Sequence, residues 1–117
     1  MKRLVILFGS QASKTAGGQS DTDVAVLFNH LLTLEEKLDL RSTLSEKLGV
    51  SEEKIDLVDL WVASPLLQYQ IAQNGQLIEG EEFDFIRFKV LAWKRYQDTA
   101  KFRRIREKVL NKEYNAD

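Results

Sequence analysis

Cysteine is absent from the 117 residues, and histidine, proline and methionine occur once each. Without thiols the chain has no disulfide, no zinc thiolate, no iron–sulfur ligation and no thiol nucleophile. One histidine excludes a polyhistidine metal site within a single chain. Oxygen donors are plentiful, with 18 Asp and Glu, so a bound divalent cation would be a hard one, Mg²⁺, Mn²⁺ or Ca²⁺, rather than zinc or copper. No apolar run approaches the ~18 residues that a membrane span needs. Met1-Lys2-Arg3 and the short apolar run after it resemble a secretory signal only superficially, because Gly9-Ser10 leads into a polar loop that the next strand needs. The expectation is a cytoplasmic protein without membrane contact.

What is present is one domain's worth of ordinary globular composition, 44% hydrophobic and 30% charged. The order read from periodicity and punctuation is strand (3–8), polar connection (9–20), strand (22–28), helix, strand (54–60), helix, short edge strand (76–80), long helix (about 83–112). The first helix opens on Thr33-Leu34-Glu35-Glu36, a capping-box sequence, and stops at Gly49. Leu34, Leu38, Leu44 and Leu48 are expected on a roughly common apolar face, with Leu40 near its edge. Ser64-Pro65 opens the second helix, and Asn74-Gly75 ends it. In the last helix Ile86, Val90 and Trp93 share one face, and Phe102, Ile105 and Val109 continue a stripe. The fold class is α/β (α+β): a small mixed sheet flanked by helices, with residues 1–80 as the core and 81–117 as a helical extension of the same domain.

The densest chemistry lies between Leu4 and Phe28. An apolar run ends in Gly9-Ser10; ten residues later Asp21-Thr22-Asp23 leads directly into a second apolar run. Aspartates at i and i+2 on a strand share a face, where their charges repel unless a cation joins them. Bare backbone N–H groups and a hydroxyl at Gly9-Ser10 suit a polyphosphate. Phosphoryl and nucleotidyl transfer need little more than metal-held phosphates and in-line placement. Asp56 or Asp59, in the third strand, could complete a carboxylate set. Asp56 lies within an apolar run, where a buried carboxylate would need compensation, whereas Asp59 stands near the strand's end, where a loop N–H could satisfy it.

Gly9-Ser10-x₁₀-Asp21-x-Asp23, with Ile55-Asp56-Leu57-Val58-Asp59-Leu60, resembles the polymerase-β-like nucleotidyltransferase superfamily and, by length and phrasing, its minimal nucleotidyltransferase (MNT) branch. The resemblance covers about residues 4–80. It implies a Mg²⁺-dependent (Mn²⁺ possible) enzyme using ATP, in which Gly9 and Ser10 hold the phosphates. Asp21, Asp23 and Asp56 would be its catalytic and metal-binding carboxylates. It also implies the antitoxin of a HEPN/MNT pair, transferring AMP onto a tyrosine of a HEPN ribonuclease toxin within a hetero-oligomer. The alternative is a binding antitoxin that neutralises its partner by occlusion. Where the family usually has Arg-Gly after Gly-Ser-x-Ala, this chain has Ser13-Lys14.

Charge is uneven. Residues 1–82 hold 7 Lys and Arg against 13 Asp and Glu, a balance of −6; residues 83–117 hold 10 against 5, a balance of +5. The simplest reading of Arg103-Arg104-x-Arg106-x-Lys108 is a solvated helix face; the sharper one is a surface for an acidic protein or RNA. The resemblance favours the protein, and direct nucleic-acid binding is not expected. His30 reads as a solvent-facing turn residue. One of Trp61 and Trp93 is expected in the core, with a partner interface as the rival.

Overall fold

The computed structural model describes residues 3–9 and 21–115. Among the described residues four strands form one sheet: β1 (Leu4–Phe8), β2 (Thr22–Leu27), β3 (Ile55–Asp59) and β4 (Gln76–Glu79), in the order β3-β2-β1-β4. β1 pairs antiparallel with both β2 and β4, and β2 pairs parallel with β3. A parallel pair needs a crossover, supplied by α1 (Leu34–Leu48). Two further helices follow, α2 (Pro65–Asn74) and α3 (Glu82–Asn115).

Strand alternation divides the core in two. On one face Val5, Val24, Val26 and Ile55 pack under Leu40 and Leu44 of α1. On the other, Leu4, Ile6, Ala25 and Leu60 meet Ile71 of α2 and Phe85, Phe88 and Ala92 of α3. Leu4, Val5 and Ile6 have no exposed surface, as an uninterrupted apolar run in a central strand requires. Burying a side chain such as Ile71 stabilises by about 1.5–3 kcal/mol. Stacked rings of Tyr69 and Tyr96, 4.2 Å apart and 7° from parallel, tie α2 to α3.

Local signals set the helix ends. Thr33 Oγ1 accepts from Glu36 N–H at 3.1 Å, and Glu36 Oε1 accepts from Thr33 N–H at 2.9 Å. These bonds to Thr33, and that to exposed His30, hold the Glu36 carboxyl below its ordinary value. Gly49 takes φ 69° and donates to Ser45 O. Ser64 Oγ accepts from Leu67 N–H.

The buried faces of two helices differ from the sequence expectation. In α1 Leu44 and Leu48 meet the core as expected and Leu40 is buried with them, while Leu34 and Leu38 are 73% and 54% exposed. At 100° per residue Leu38 stands about 120° around the helix from Leu44, so it turns away from the sheet. In α3, Phe85, Phe88 and Ala92 face inward, and Ile86, Val90 and Trp93 are exposed. Both tryptophans are about half exposed, contrary to the core placement expected for one of them. Trp61 is held by its Nε1–H donating to Phe28 O.

Candidate active site

Three strand ends meet at one end of the sheet. β1 runs out there at Phe8-Gly9, and β2 and β3 begin there. The register pairs Phe8 with Asp23 and Asp23 with Asp56. Residues paired across parallel strands put their side chains on one face, so the Asp23 and Asp56 carboxylates lie side by side. Asp21 is exposed, Asp23 half-buried and Asp56 exposed. The expected burial of Asp56 is therefore corrected: the start of β3 stands at an open edge of the sheet.

Electrostatics at this end are unfavourable without a cation. Partial burial pushes the Asp23 carboxyl above its ordinary value; the charges of Asp56 and Asp21 and a hydrogen bond with Asp56 push it the same way. Among the described residues no ion pair neutralises any of the three. Those residues contain no ready-made cluster of three or more metal-ligating side chains; Asp23 and Asp56 form the close pair, and Asp21 adds its charge from just before β2. Hard carboxylate oxygens held together against their own repulsion suit Mg²⁺ or Mn²⁺.

Gly9 has φ +75°, and a Cβ built there would stand 2.3 Å from Asp23 Oδ2. Only glycine lets the β1 terminus lie against that carboxylate without a clash. Ser10, and the Ser13-Lys14 departure with it, lie outside the described residues. Asp59 sits on the opposite face, 6% exposed, where its carboxylate accepts from Leu32 N–H at 2.8 Å and Trp61 N–H at 3.0 Å. It fastens the β2–α1 connection to the end of β3 and takes no part in the carboxylate pair.

At the other end of the sheet lies a groove of about 430 Å³, lined in part by Phe28, Leu60, Trp61, Phe88 and Leu91. Gln68, buried beside it, donates to Leu60 O and accepts from Arg95 Nη1 at 3.1 Å. Sequence reading missed Gln68 and Arg95; the available signal was a polar residue one turn before Ala72 on the inward face of α2.

A mixed sheet with helices on both faces, and an acidic pair on adjacent strands beside a glycine terminus, defines the nucleotidyltransferase class. The model of the family described as polymerase beta, nucleotidyltransferase matches residues 3–84, and the chain belongs to that family. Among similar sequences is the protein adenylyltransferase MntA of Aphanizomenon flos-aquae, 31% identical over 76% of this chain and 66% of the relative. The protein of the same name from Shewanella oneidensis is 34% identical over 81% and 66%. The chain thus spans 66% of the length of these two relatives. Similar solved structures include a toxin–antitoxin with AMP-PNP, at TM-score 0.72 and 32% identity, covering 92% of this chain and 85% of that one. Another is a tri-AMPylated Shewanella oneidensis HEPN toxin in complex with its MNT antitoxin, at TM-score 0.65 and 30% identity, covering 92% and 82%.

Proposed function

We propose that this chain is a Mg²⁺-dependent protein adenylyltransferase that transfers AMP from ATP to a tyrosine of a cognate HEPN toxin and thereby acts as its antitoxin. The observation that carries the reading is Asp23 pressed against Asp56, beside Asp21, with no neutralising cation among the described residues. Bound Mg²⁺ would supply charge neutralisation of the triphosphate. Asp21, Asp23 and Asp56 would hold it. Gly9 keeps the β1 terminus free of a side chain where the phosphates approach, and Ser10 contributes its N–H and hydroxyl. Exposed Asp56 takes the proton of the tyrosine hydroxyl; the phenolic oxygen bonds to the α-phosphorus as the bond to the bridging oxygen breaks, and pyrophosphate leaves. Residues 1–80 form the catalytic core, and 81–117 extend the same domain.

The relatives support this reading by what they are: adenylyltransferases, and antitoxins in complexes with HEPN toxins. Among the described residues no helix is long and apolar enough to cross a membrane; we assign the activity to the cytoplasm, where ATP is available. A second reading, neutralisation by occlusion alone, draws on the large apolar side chains exposed along α3. Co-expression separates the two. An Asp21→Asn/Asp23→Asn variant should lose AMP transfer and, under the enzymatic reading, protection of the cell from toxin as well; retained protection would favour occlusion.

A further inference from the structure

The groove at the far end of the sheet continues along α3. Leu91, Arg95, Asp98, Phe102, Ile105 and Val109 are spaced 4, 3, 4, 3 and 4 residues apart, so at 100° per residue they form one seam along the helix. Leu91 and Arg95 line the groove. Every described residue from Lys101 to Asn111 is exposed, with Phe102, Ile105 and Val109 at 72%, 58% and 50%. A helix of 34 residues is about 51 Å long, against widths of 34 and 26 Å for the molecule. Its distal half therefore projects beyond the body, its apolar seam uncovered among the described residues. Scattered exposed apolar residues need no explanation, but a contiguous seam that leads out of a groove does.

Charge selects the occupant. From Leu91 to Val109 the helix holds seven Lys and Arg against two Asp and Glu, a balance of +5. Lys94, Lys101 and Arg106 border the seam. A second copy would set one +5 segment against another, which flanking-charge repulsion disfavours. A partner with acidic flanks is attracted. The groove lies at the opposite end of β2 from the carboxylates; Asp23 to Leu27 alone is roughly 13 Å at about 3.3 Å per residue.

We propose that the groove and the α3 seam form one docking surface, remote from the chemistry, for an amphipathic helix of the acceptor toxin whose apolar stripe is bordered by Asp and Glu. The proposal rests on the reading of this chain as a HEPN-directed transferase. Its end seats between Trp61 and Leu91, and the rest lies along Phe102, Ile105 and Val109. Docking there raises the effective concentration of the acceptor tyrosine without touching the reacting atoms, so its loss should appear in KM and Kd rather than in kcat.

The test uses the full chain and its cognate HEPN toxin. A Phe102→Ser/Ile105→Ser/Val109→Ser variant changes only exposed positions outside the core. It should bind the toxin at least tenfold more weakly, with affinity of the parent falling as salt rises, and should transfer AMP at saturating toxin within about twofold of the parent. A photocrosslinker at Phe102 should capture an acidic helix of the toxin, and one at Trp93, on the far side of α3, should not. Unchanged Kd and KM, or capture from Trp93 alone, overturns the docking surface while leaving the transferase reading intact. Absence of toxin binding by the parent overturns that reading itself. A parent dimer in sedimentation that the triple variant dissolves assigns the seam to a second copy and overturns the proposal.

Discussion

Replacing Gly9 with alanine adds one methyl group, and the structure gives its consequences separately for stability and for chemistry. At φ +75° a non-glycine residue carries about 1–2 kcal/mol of backbone strain. The new Cβ also stands 2.3 Å from Asp23 Oδ2, where ordinary contact begins at 3.4 Å, so the carboxylate must retreat by about 1 Å. Displacement on that scale at a reacting centre costs on the order of 10²-fold in rate. Gly49→Ala is the matched control: φ is +69°, and nothing lies within 4 Å of the added Cβ. Both variants should lose about 1–2 kcal/mol, a fall in Tm of very roughly 4–8 °C. Only Gly9→Ala should lose AMP transfer, about 10²-fold in single-turnover measurements on folded protein. Equal transfer by the two variants would refute the argument that Gly9 exists to let the β1 terminus approach Asp23.

Other consequences follow from the same geometry. Asp56→Ala should slow transfer by at least ~10²-fold, and a single-turnover comparison with Asp59→Ala, which should cost much less per folded molecule, tests the assignment of faces. Asp59→Ala should instead lower stability in urea by about 1.5–3 kcal/mol, because two backbone N–H groups lose a buried charged acceptor. Glu79, held below its ordinary value first by its hydrogen bond to Arg3, contributes stability that is present above the ordinary glutamate range and lost as pH falls through its depressed folded value. Glu79→Gln should flatten that acid limb by no more than about 1 kcal/mol, the ceiling for a pair at the surface that is only partly buried, as followed by thermal melts against pH. Mg²⁺ at 100 times its Kd should stabilise the parent by about 2.7 kcal/mol and leave Asp21→Asn/Asp23→Asn unmoved in the same melts.

The elements that sequence reading placed correctly are those whose signals are local. The Thr33–Glu36 capping box, the Gly49 stop and Ser64-Pro65 each act within four residues, and the structure has each where the sequence put it. The separation of Asp56 from Asp59 was legible for a similar reason, since alternation sends residues three apart in a strand to opposite faces. Burial on the helices was legible only in part: Leu44 and Leu48 meet the core as expected, and the other expected positions do not. Which side of α1 or α3 meets the sheet depends on the angle and offset at which each helix crosses it, so Leu34 and Leu38, or Ile86, Val90 and Trp93, look as apolar as the residues that are buried. The exposure of Asp56 has the same origin: an apolar run reads as buried, but β3 is an edge strand and the carboxylate stands at its open start. Ser10 lies outside the described residues, and its role stays a proposal from the motif.

AMP transfer to a protein by the acidic end of this sheet is tested most directly by label transfer from [α-³²P]ATP to the cognate HEPN toxin, comparing the parent in Mg²⁺, the parent in EDTA, and Asp21→Asn/Asp23→Asn in Mg²⁺. Label should appear on a toxin tyrosine in the first reaction and not in the other two. Transfer that persists in EDTA or in the double variant would rule out metal-dependent chemistry at Asp21 and Asp23.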